Sequence, residues 1–370
     1  MRVLFVGSHR GDKQFSIVGF EKALERELSG RCEFEAICPG RERTIGGTSK
    51  WARYVDKYIL FPRELRRKSR SADIVHFGEK GMAMNLPHVK NRPTLSTIHD
   101  LLALKAARHE IMGWNVGITG RRYQSMILNA EMMADGVACV SEATRKEVKY
   151  YMPGFRGEVR TILNGMYKSF SRKDEAEAIA RLEGQFRPKF PEFFVHIGGN
   201  KRYKNRQGVL ELYAELIRQR PCLKIGLVMA GGPRTVELGQ VEEKLGLTGR
   251  VQWVVEPTDP QVEAYYSLAT ALLFPSFAEG FGLPVIEAQA CGCPVFVTNR
   301  APMTEVGGDA VVYIDPTEIE ESATQVLSNM DNLQELAELG TENVKRFEPR
   351  IMADAYLDYY KHIVDRTKLA

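Results

Sequence analysis

The sequence is poor in cysteine and has no long apolar run. Its six cysteines form no Cys-x-x-Cys pair, and most of them lie in apolar stretches that predict buried strands. This spacing favours reduced structural thiols over a disulfide framework. No apolar segment reaches the roughly 18 residues of a membrane-spanning helix, and Met1 precedes a strand-like run without the features of a signal peptide. We therefore expect a cytoplasmic protein with no membrane span.

Patterns that usually hold a metal ion are also missing. The sequence contains no Asp-x-Asp pair of the kind that binds a divalent cation beside a nucleotide diphosphate, and no His/Cys cluster at metal-ligand spacing. It shows no motif for RNA or DNA binding. We therefore expect no metal, no cofactor and no nucleic-acid partner.

Length and pattern predict two α/β domains. A chain of 370 residues exceeds the usual size of one hydrophobic core, and 44% hydrophobic with 26% charged residues is typical of soluble globular proteins. Short apolar runs alternate with amphipathic stretches, as in a parallel sheet covered by crossover helices. The predicted strands are residues 3–6, 34–38, 74–77, 94–98, 136–140 and 159–163, then 193–197, 224–229, 251–255, 271–274, 294–297 and 311–314. Each half can therefore build its own sheet.

Residues 164–191 separate the two halves, because they contain an Asn-Gly turn, a charged stretch and two prolines before the next strand. We place the boundary between residues 170 and 190 and predict an amino-terminal domain over 1–170 and a second domain over 171–349. Apolar residues recur at helical spacing near the end of the chain, which predicts a terminal helix over 350–370.

Positive charge is concentrated between Arg63 and Arg70, although the net charge is only +4. Such a run is usually the solvated face of a helix. Contact with an anionic lipid surface or a lipid-linked ligand is the alternative.

Two segments of the second half carry the strongest functional signals. Residues 274–294 predict strand, loop, helix and strand, with Pro284 in the first helical turn and Gly292 at its end. The loop Gly280-Phe281-Gly282 then lies at a helix N-terminus, which attracts anions. Glu279 precedes this loop, and we expect Glu287 in the first helical turn. Glu287 either accepts hydrogen bonds from sugar hydroxyls or only complements the helix dipole.

The segment from His196 to Arg206 is the second signal. Asn205 is a suitable N-cap for a helix that begins near Gln207, and Lys204 stands beside it. A lysine there can neutralise a diphosphate, although an ordinary basic loop is the alternative interpretation.

In the first half, candidate residues follow predicted strands. His99 and Asp100 come directly after a strand, at the edge where open parallel sheets bind ligands, but a lone histidine is often structural. Ser141 is suited to cap a helix. The loop that contains Gly7, His9 and Gly11 gives only a weak signal of ligand contact.

Glu279 and Glu287, with seven residues between them in the setting Glu-Gly-Phe-Gly-Leu-Pro, resemble the signature of family 4 (GT4) retaining glycosyltransferases. The resemblance implies the GT-B fold: two Rossmann-like domains with parallel sheets facing a central cleft, the second domain binding the donor and the last helix returning to the first. It implies that Glu287 binds the donor ribose and Glu279 the transferred sugar. It also implies that Gly280, Phe281, Gly282 and Leu283 contact the donor.

The resemblance assigns further roles. It places Lys204 on the donor diphosphate and His99 beside the donor sugar, so that His99, Glu279 and Lys204 are the catalytic candidates. We expect Gly7, His9, Gly11, Asp100 and Ser141 on the acceptor side, although the first loop lacks the glycine pair that family members often have. Many family members carry an arginine directly after the glycine where this chain has Gly199 and Asn200, so Lys201 and Arg202 are candidates for the second cation.

The implied reaction moves a hexose from a nucleotide-diphosphate sugar to a glycan or lipid-linked acceptor, as in envelope or extracellular polysaccharide synthesis. GDP-mannose is slightly favoured over a UDP-sugar. The basic run adds a possible site of peripheral contact with the inner membrane face. The alternatives are a nucleotide-sugar epimerase, a sugar phosphorylase of the same fold, or a non-catalytic nucleotide-sugar-binding protein.

Overall fold

The computed structural model describes residues 1–12, 14–40, 50–111 and 113–369. The chain forms two compact units, one of Met1–Lys168 with Phe347–Ala370 and one of Ser169–Arg346. The sequence-based division after residues 170 and 349 thus falls after residues 168 and 346 in the structure.

The first unit is built on a parallel six-stranded sheet. Its strands are β1 (Arg2–Val6), β2 (Glu33–Ile37), β3 (Ile74–Phe77), β4 (Thr94–Ile98), β5 (Gly136–Cys139) and β6 (Glu158–Thr161), in the order β2-β1-β3-β4-β5-β6. Its helices are α1 (Phe15–Leu28), α2 (Lys50–Val55), α3 (Phe61–Ser69), α4 (Leu102–Ala107), α5 (Ile118–Glu131) and α6 (Glu142–Tyr151). A π-helical turn, Asp56–Leu60, joins α2 to α3, and 3-10 turns lie at Arg10–Asp12 and Lys80–His88.

The second unit repeats this architecture. Its strands are β7 (Phe193–Gly198), β8 (Gly226–Gly231), β9 (Val251–Val255), β10 (Ala271–Phe274), β11 (Val295–Thr298) and β12 (Val312–Ile314), in the order β12-β11-β10-β7-β8-β9. Its helices are α7 (Glu175–Ala180), α8 (Arg206–Gln219), α9 (Val236–Lys244), α10 (Asp259–Leu268), α11 (Leu283–Ala290), α12 (Met303–Gly307), α13 (Ile319–Ser328) and α14 (Leu333–Val344). Further 3-10 turns are Gly184–Phe186, Arg202–Lys204, Met330–Asn332 and Lys345–Phe347.

All twelve predicted strands are confirmed, with ends that shift by at most two residues. A parallel strand that is covered on both faces buries nearly all of its side chains, so a short continuous apolar run favours it. The strand residues of β1, β3, β4 and β5 are accordingly buried or nearly so. In the second unit β10 pairs with β7, and β7 with β8. The loops that leave the carboxyl ends of these three strands are therefore neighbours.

The predicted terminal helix is confirmed as α15 (Pro349–Leu369), which belongs to the first unit. Its aromatic residues Tyr356 and Tyr360 are fully buried. Buried His76 on β3 joins them to the sheet, because its ring nitrogens lie 2.7 Å from the Tyr360 hydroxyl and 2.7 Å from Thr97 Oγ1. The helix is thus a core element of this unit.

All six cysteines are free thiols, as the spacing predicted. Among the residues that the structure describes, no helix is both long and apolar enough to cross a lipid bilayer.

Candidate active site

The loop after β10 has the predicted form. Pro284 lies in the first turn of α11, and Gly292 follows the helix with φ +67°. Gly282 precedes the helix with φ +108°, and a Cβ there would come within 2.3 Å of Met303 Cε. Only glycine fits this backbone without strain. The loop thus turns sharply into the N-terminus of α11, where the helix dipole favours an anion.

Lys204 and Glu279 form an ion pair at this loop. Lys204 Nζ donates to both carboxylate oxygens of Glu279, at 2.8 and 2.7 Å. The two side chains are 19% and 7% exposed, so the pair is largely shielded from water. Residues 75 positions apart in sequence therefore meet at the carboxyl ends of β7 and β10.

Further hydrogen bonds hold the loops after β7 and β10 together. The Phe277 N–H donates to the Tyr203 carbonyl at 2.7 Å. Asn205 caps α8 by accepting from the Gly208 N–H at 3.1 Å, as predicted, and its Nδ2 donates to the Pro275 carbonyl at 2.9 Å. The helix begins at Arg206, one residue before the expected Gln207. These contacts fix Lys204 opposite Glu279.

Glu287 lies in the second turn of α11, so its expected place in the first turn is wrong. The helix begins at Leu283, and at 3.6 residues per turn its fifth residue starts the next turn. Its carboxylate is 8% exposed and acts electrostatically on the buried Tyr266 hydroxyl, whose pKa is raised mainly by burial. Glu287 is thus a buried acid within the helix that follows the loop.

The other residues predicted to contact the donor differ in exposure. Gly199, Lys201 and Arg202 are exposed, whereas Phe281 is 5% exposed. Sequence reasoning missed Arg206, which is 4% exposed although it follows an exposed basic stretch. A cation at the first position of a helix opposes the helix dipole, and this was the available signal.

In the first unit, His99 and Asp100 follow β4. His99 Nε2 lies 3.0 Å from the Gly78 carbonyl, and burial lowers the pKa of its imidazole to about 4. Asp100 Oδ1 accepts from Lys80 Nζ at 2.8 Å and from the Leu102 N–H at 3.0 Å. Burial opposes ionisation of Asp100, but the Lys80 charge and these hydrogen bonds outweigh it and lower the carboxyl pKa. Asp100 is therefore a carboxylate and His99 a neutral imidazole near pH 7.

The loop after β1 is held by internal contacts. His9 is 2% exposed; its Nδ1 accepts from the Gly11 N–H at 2.9 Å, and its Nε2 lies 3.3 Å from Asp56 Oδ2. The Gly7 N–H donates to the Ile37 carbonyl at 2.8 Å. These residues lie at the carboxyl end of β1, with their polar groups facing protein partners.

Ser141 has the predicted capping contact. It is fully buried and accepts from the Thr144 N–H at 3.1 Å, which caps α6. Within residues 1–12, 14–40, 50–111 and 113–369, no three His, Cys, Asp or Glu side chains cluster as metal ligands would.

Comparison with known proteins matches most of the second unit to a known family. Residues 182–346 match the family described as glycosyl transferases group 1, and this stretch contains Lys204, Glu279 and Glu287. This stretch of the chain is a group 1 glycosyltransferase domain. The enzyme is 25% identical over 309 residues to O-antigen chain mannosyltransferase B of Escherichia coli. The aligned region covers 82% of this chain and 78% of that relative. It is 27% identical over 239 residues to D-inositol 3-phosphate glycosyltransferase of Rhodococcus opacus (strain B4), covering 61% and 47% of the two chains.

Solved structures show the same fold. The Anabaena protein HepE, solved with UDP and glucose, is 15% identical and superposes with a TM-score of 0.70 over 98% of this chain and 99% of its own. The glycosyltransferase thus has the GT-B fold, with a Rossmann-like parallel sheet in each unit.

Proposed function

We propose that this enzyme is a metal-independent retaining transferase of the GT4 type. It moves a hexose from a nucleotide-diphosphate sugar to a glycan or lipid-linked acceptor. The observation that carries the proposal is the Lys204–Glu279 pair beside the glycine loop at the N-terminus of α11.

The charge arrangement suits a diphosphate leaving group. As the bond to the sugar breaks, negative charge grows on the diphosphate, and a preorganised cation stabilises that charge most where water is excluded. Lys204 is such a cation, because two hydrogen bonds hold its ammonium in a shielded place. The N-terminus of α11 adds a positive partial charge.

The two carboxylates suit the sugars of the donor. An ionised carboxylate is an acceptor only, and it pairs well with the adjacent hydroxyls of a hexose or a ribose. We assign Glu279 to the transferred hexose and Glu287 to the ribose. His99, being neutral, is assigned to hydrogen bonding with the donor sugar rather than to charge stabilisation.

For the donor, GDP-mannose is slightly favoured because a mannosyltransferase is among the relatives, while a UDP-sugar is the alternative because HepE was solved with UDP and glucose. The O-antigen relative also supports an acceptor used in envelope polysaccharide synthesis. Product analysis tests the proposal: incubation of the enzyme with GDP-mannose or UDP-glucose, an acceptor preparation and EDTA should yield an α-linked product. A β-linked product, or dependence on added metal, would contradict it.

We also propose that the enzyme contacts an anionic lipid surface through the solvent face of α2, the π-helical turn and α3. Trp51, Val55 and Ile59 recur every four residues there and are 81%, 41% and 64% exposed. The exposed side chains Arg63, Arg66, Arg67 and Arg70 follow. An apolar stripe beside basic residues is typical of helices that lie in the membrane interface.

Vesicle sedimentation tests this contact. The enzyme should bind vesicles that contain phosphatidylglycerol and not vesicles of phosphatidylcholine alone, and Trp51→Ser with Ile59→Ser should release it. Ile351→Ser on α15, an equally apolar site that is 51% exposed, is the matched control. Equal binding by all proteins would contradict the assignment.

A further inference from the structure

Arg206 is a buried arginine at the carboxyl edge of the second sheet. It is the first residue of α8, and its guanidinium lies 5.0 Å from the centre of the Trp253 ring. Nη1 donates to the Gly232 carbonyl at 2.8 Å and to the Pro233 carbonyl at 3.3 Å, and it also bonds to Asn200 Oδ1. All of these partners are neutral.

The guanidinium also has unused donors. Nε and Nη2 are buried and make no hydrogen bond with any described part of the chain. Among the residues that the structure describes, no carboxylate lies within ion-pair distance of Arg206, whereas nearby Arg234 pairs with Glu242 at 2.8 Å. Burial lowers the pKa of the Arg206 guanidinium to about 10, so it is still charged at neutral pH. A buried charge without a counter-charge is costly, and a structural role alone would be served by a neutral side chain.

The position of Arg206 connects it to the proposed donor site. Asn200 follows β7 and Gly232 follows β8, so the arginine joins the loop that contains Lys204 to the loop after β8. Lys204 is two residues away, in the 3-10 turn directly before α8. The start of α8 adds a further positive partial charge. Lys204, Arg206 and the N-terminus of α8 therefore bring positive charge together at this edge of the sheet.

We propose that Arg206 is a second cation of the donor site, a positioning residue that acts on the diphosphate through the loops after β7 and β8. The diphosphate supplies the negative charge that the protein does not. This inference rests on the proposed function. It assigns the role of second cation to a buried residue, whereas the sequence analysis named Lys201 and Arg202 as the candidates.

Binding and stability measurements on the full chain test it. Arg206→Gln removes the charge and keeps donors, Arg206→Lys keeps the charge, and Arg218→Gln, at the exposed far end of α8, is the matched control. We expect Arg206→Gln to weaken binding of GDP or UDP about tenfold, the effect of one charge across a partly buried site. Guanosine or uridine should bind unchanged, the Tm without nucleotide should stay equal or rise, and Arg206→Lys should restore most of the affinity.

The outcomes separate the two proposals. If the wild type binds neither GDP nor UDP, the proposed function fails. If the wild type binds one of them and a folded Arg206→Gln binds it equally, only the role of Arg206 fails. Equal loss for nucleoside and diphosphate, or loss of the fold in both Arg206 variants, would assign Arg206 to stability alone and overturn the inference.

Discussion

Replacing Lys204 by methionine removes the ammonium and keeps most of the side-chain volume. Two hydrogen bonds to Glu279, at 2.8 and 2.7 Å, are lost. Losing one preorganised electrostatic donor lowers kcat by about 100- to 1,000-fold in other enzymes, which corresponds to about 3–4 kcal/mol of transition-state stabilisation. We expect a decrease of this size in the initial rate of nucleotide diphosphate release.

Stability distinguishes this effect from damage to the fold. Lys204→Met leaves the Glu279 carboxylate, 7% exposed, without its cation, which costs about 1–2 kcal/mol and lowers Tm by about 2–8 °C. The double variant Lys204→Met, Glu279→Gln should recover the Tm but not the activity. Lys224→Met, at an exposed position before β8, is the matched control. A folded Lys204→Met enzyme with a kcat near that of the wild type would refute the charge argument.

Three further predictions concern the site. Gly282→Ala should lower stability by more than about 1 kcal/mol in chemical denaturation, because φ is +108° and the new Cβ would meet Met303. Because His99 has a folded pKa of about 4, below the usual 6.5, the unfolded chain takes up its proton first as the pH falls. Its contribution to stability should therefore decrease from pH 6.5 and level off below about pH 4, and His99→Gln should remove that part of the pH profile. EDTA should leave the transfer rate unchanged. If EDTA lowered the rate and Mg²⁺ restored it, Lys204 and the start of α11 would not be sufficient to stabilise the leaving diphosphate.

Elements with local causes were predictable from sequence. The strands follow from runs of apolar residues, the start and end of α11 from Pro284 and Gly292, and the caps from Asn205 and Ser141, whose side chains bond within three residues. Each of these features depends on near neighbours along the chain.

Contacts between distant residues were not predictable from spacing. The Lys204–Glu279 pair depends on the pairing of β7 with β10. The burial of Arg206 depends on its contact with the Gly232 carbonyl, which follows β8. In sequence Arg206 looks like another member of an exposed basic loop. Glu287 was predicted in the wrong turn of α11, because the sequence did not show at which residue the helix begins.

We propose that the edge of the second unit that carries Lys204 and Glu279 binds the diphosphate of the donor. Titration calorimetry of the full chain with GDP and UDP, without metal, measures this binding. We expect one of the two nucleotides to bind the wild type and to bind Lys204→Met at least about tenfold more weakly, because one charge is lost from a shielded site. Binding of neither nucleotide, or equal binding by both proteins, would contradict it.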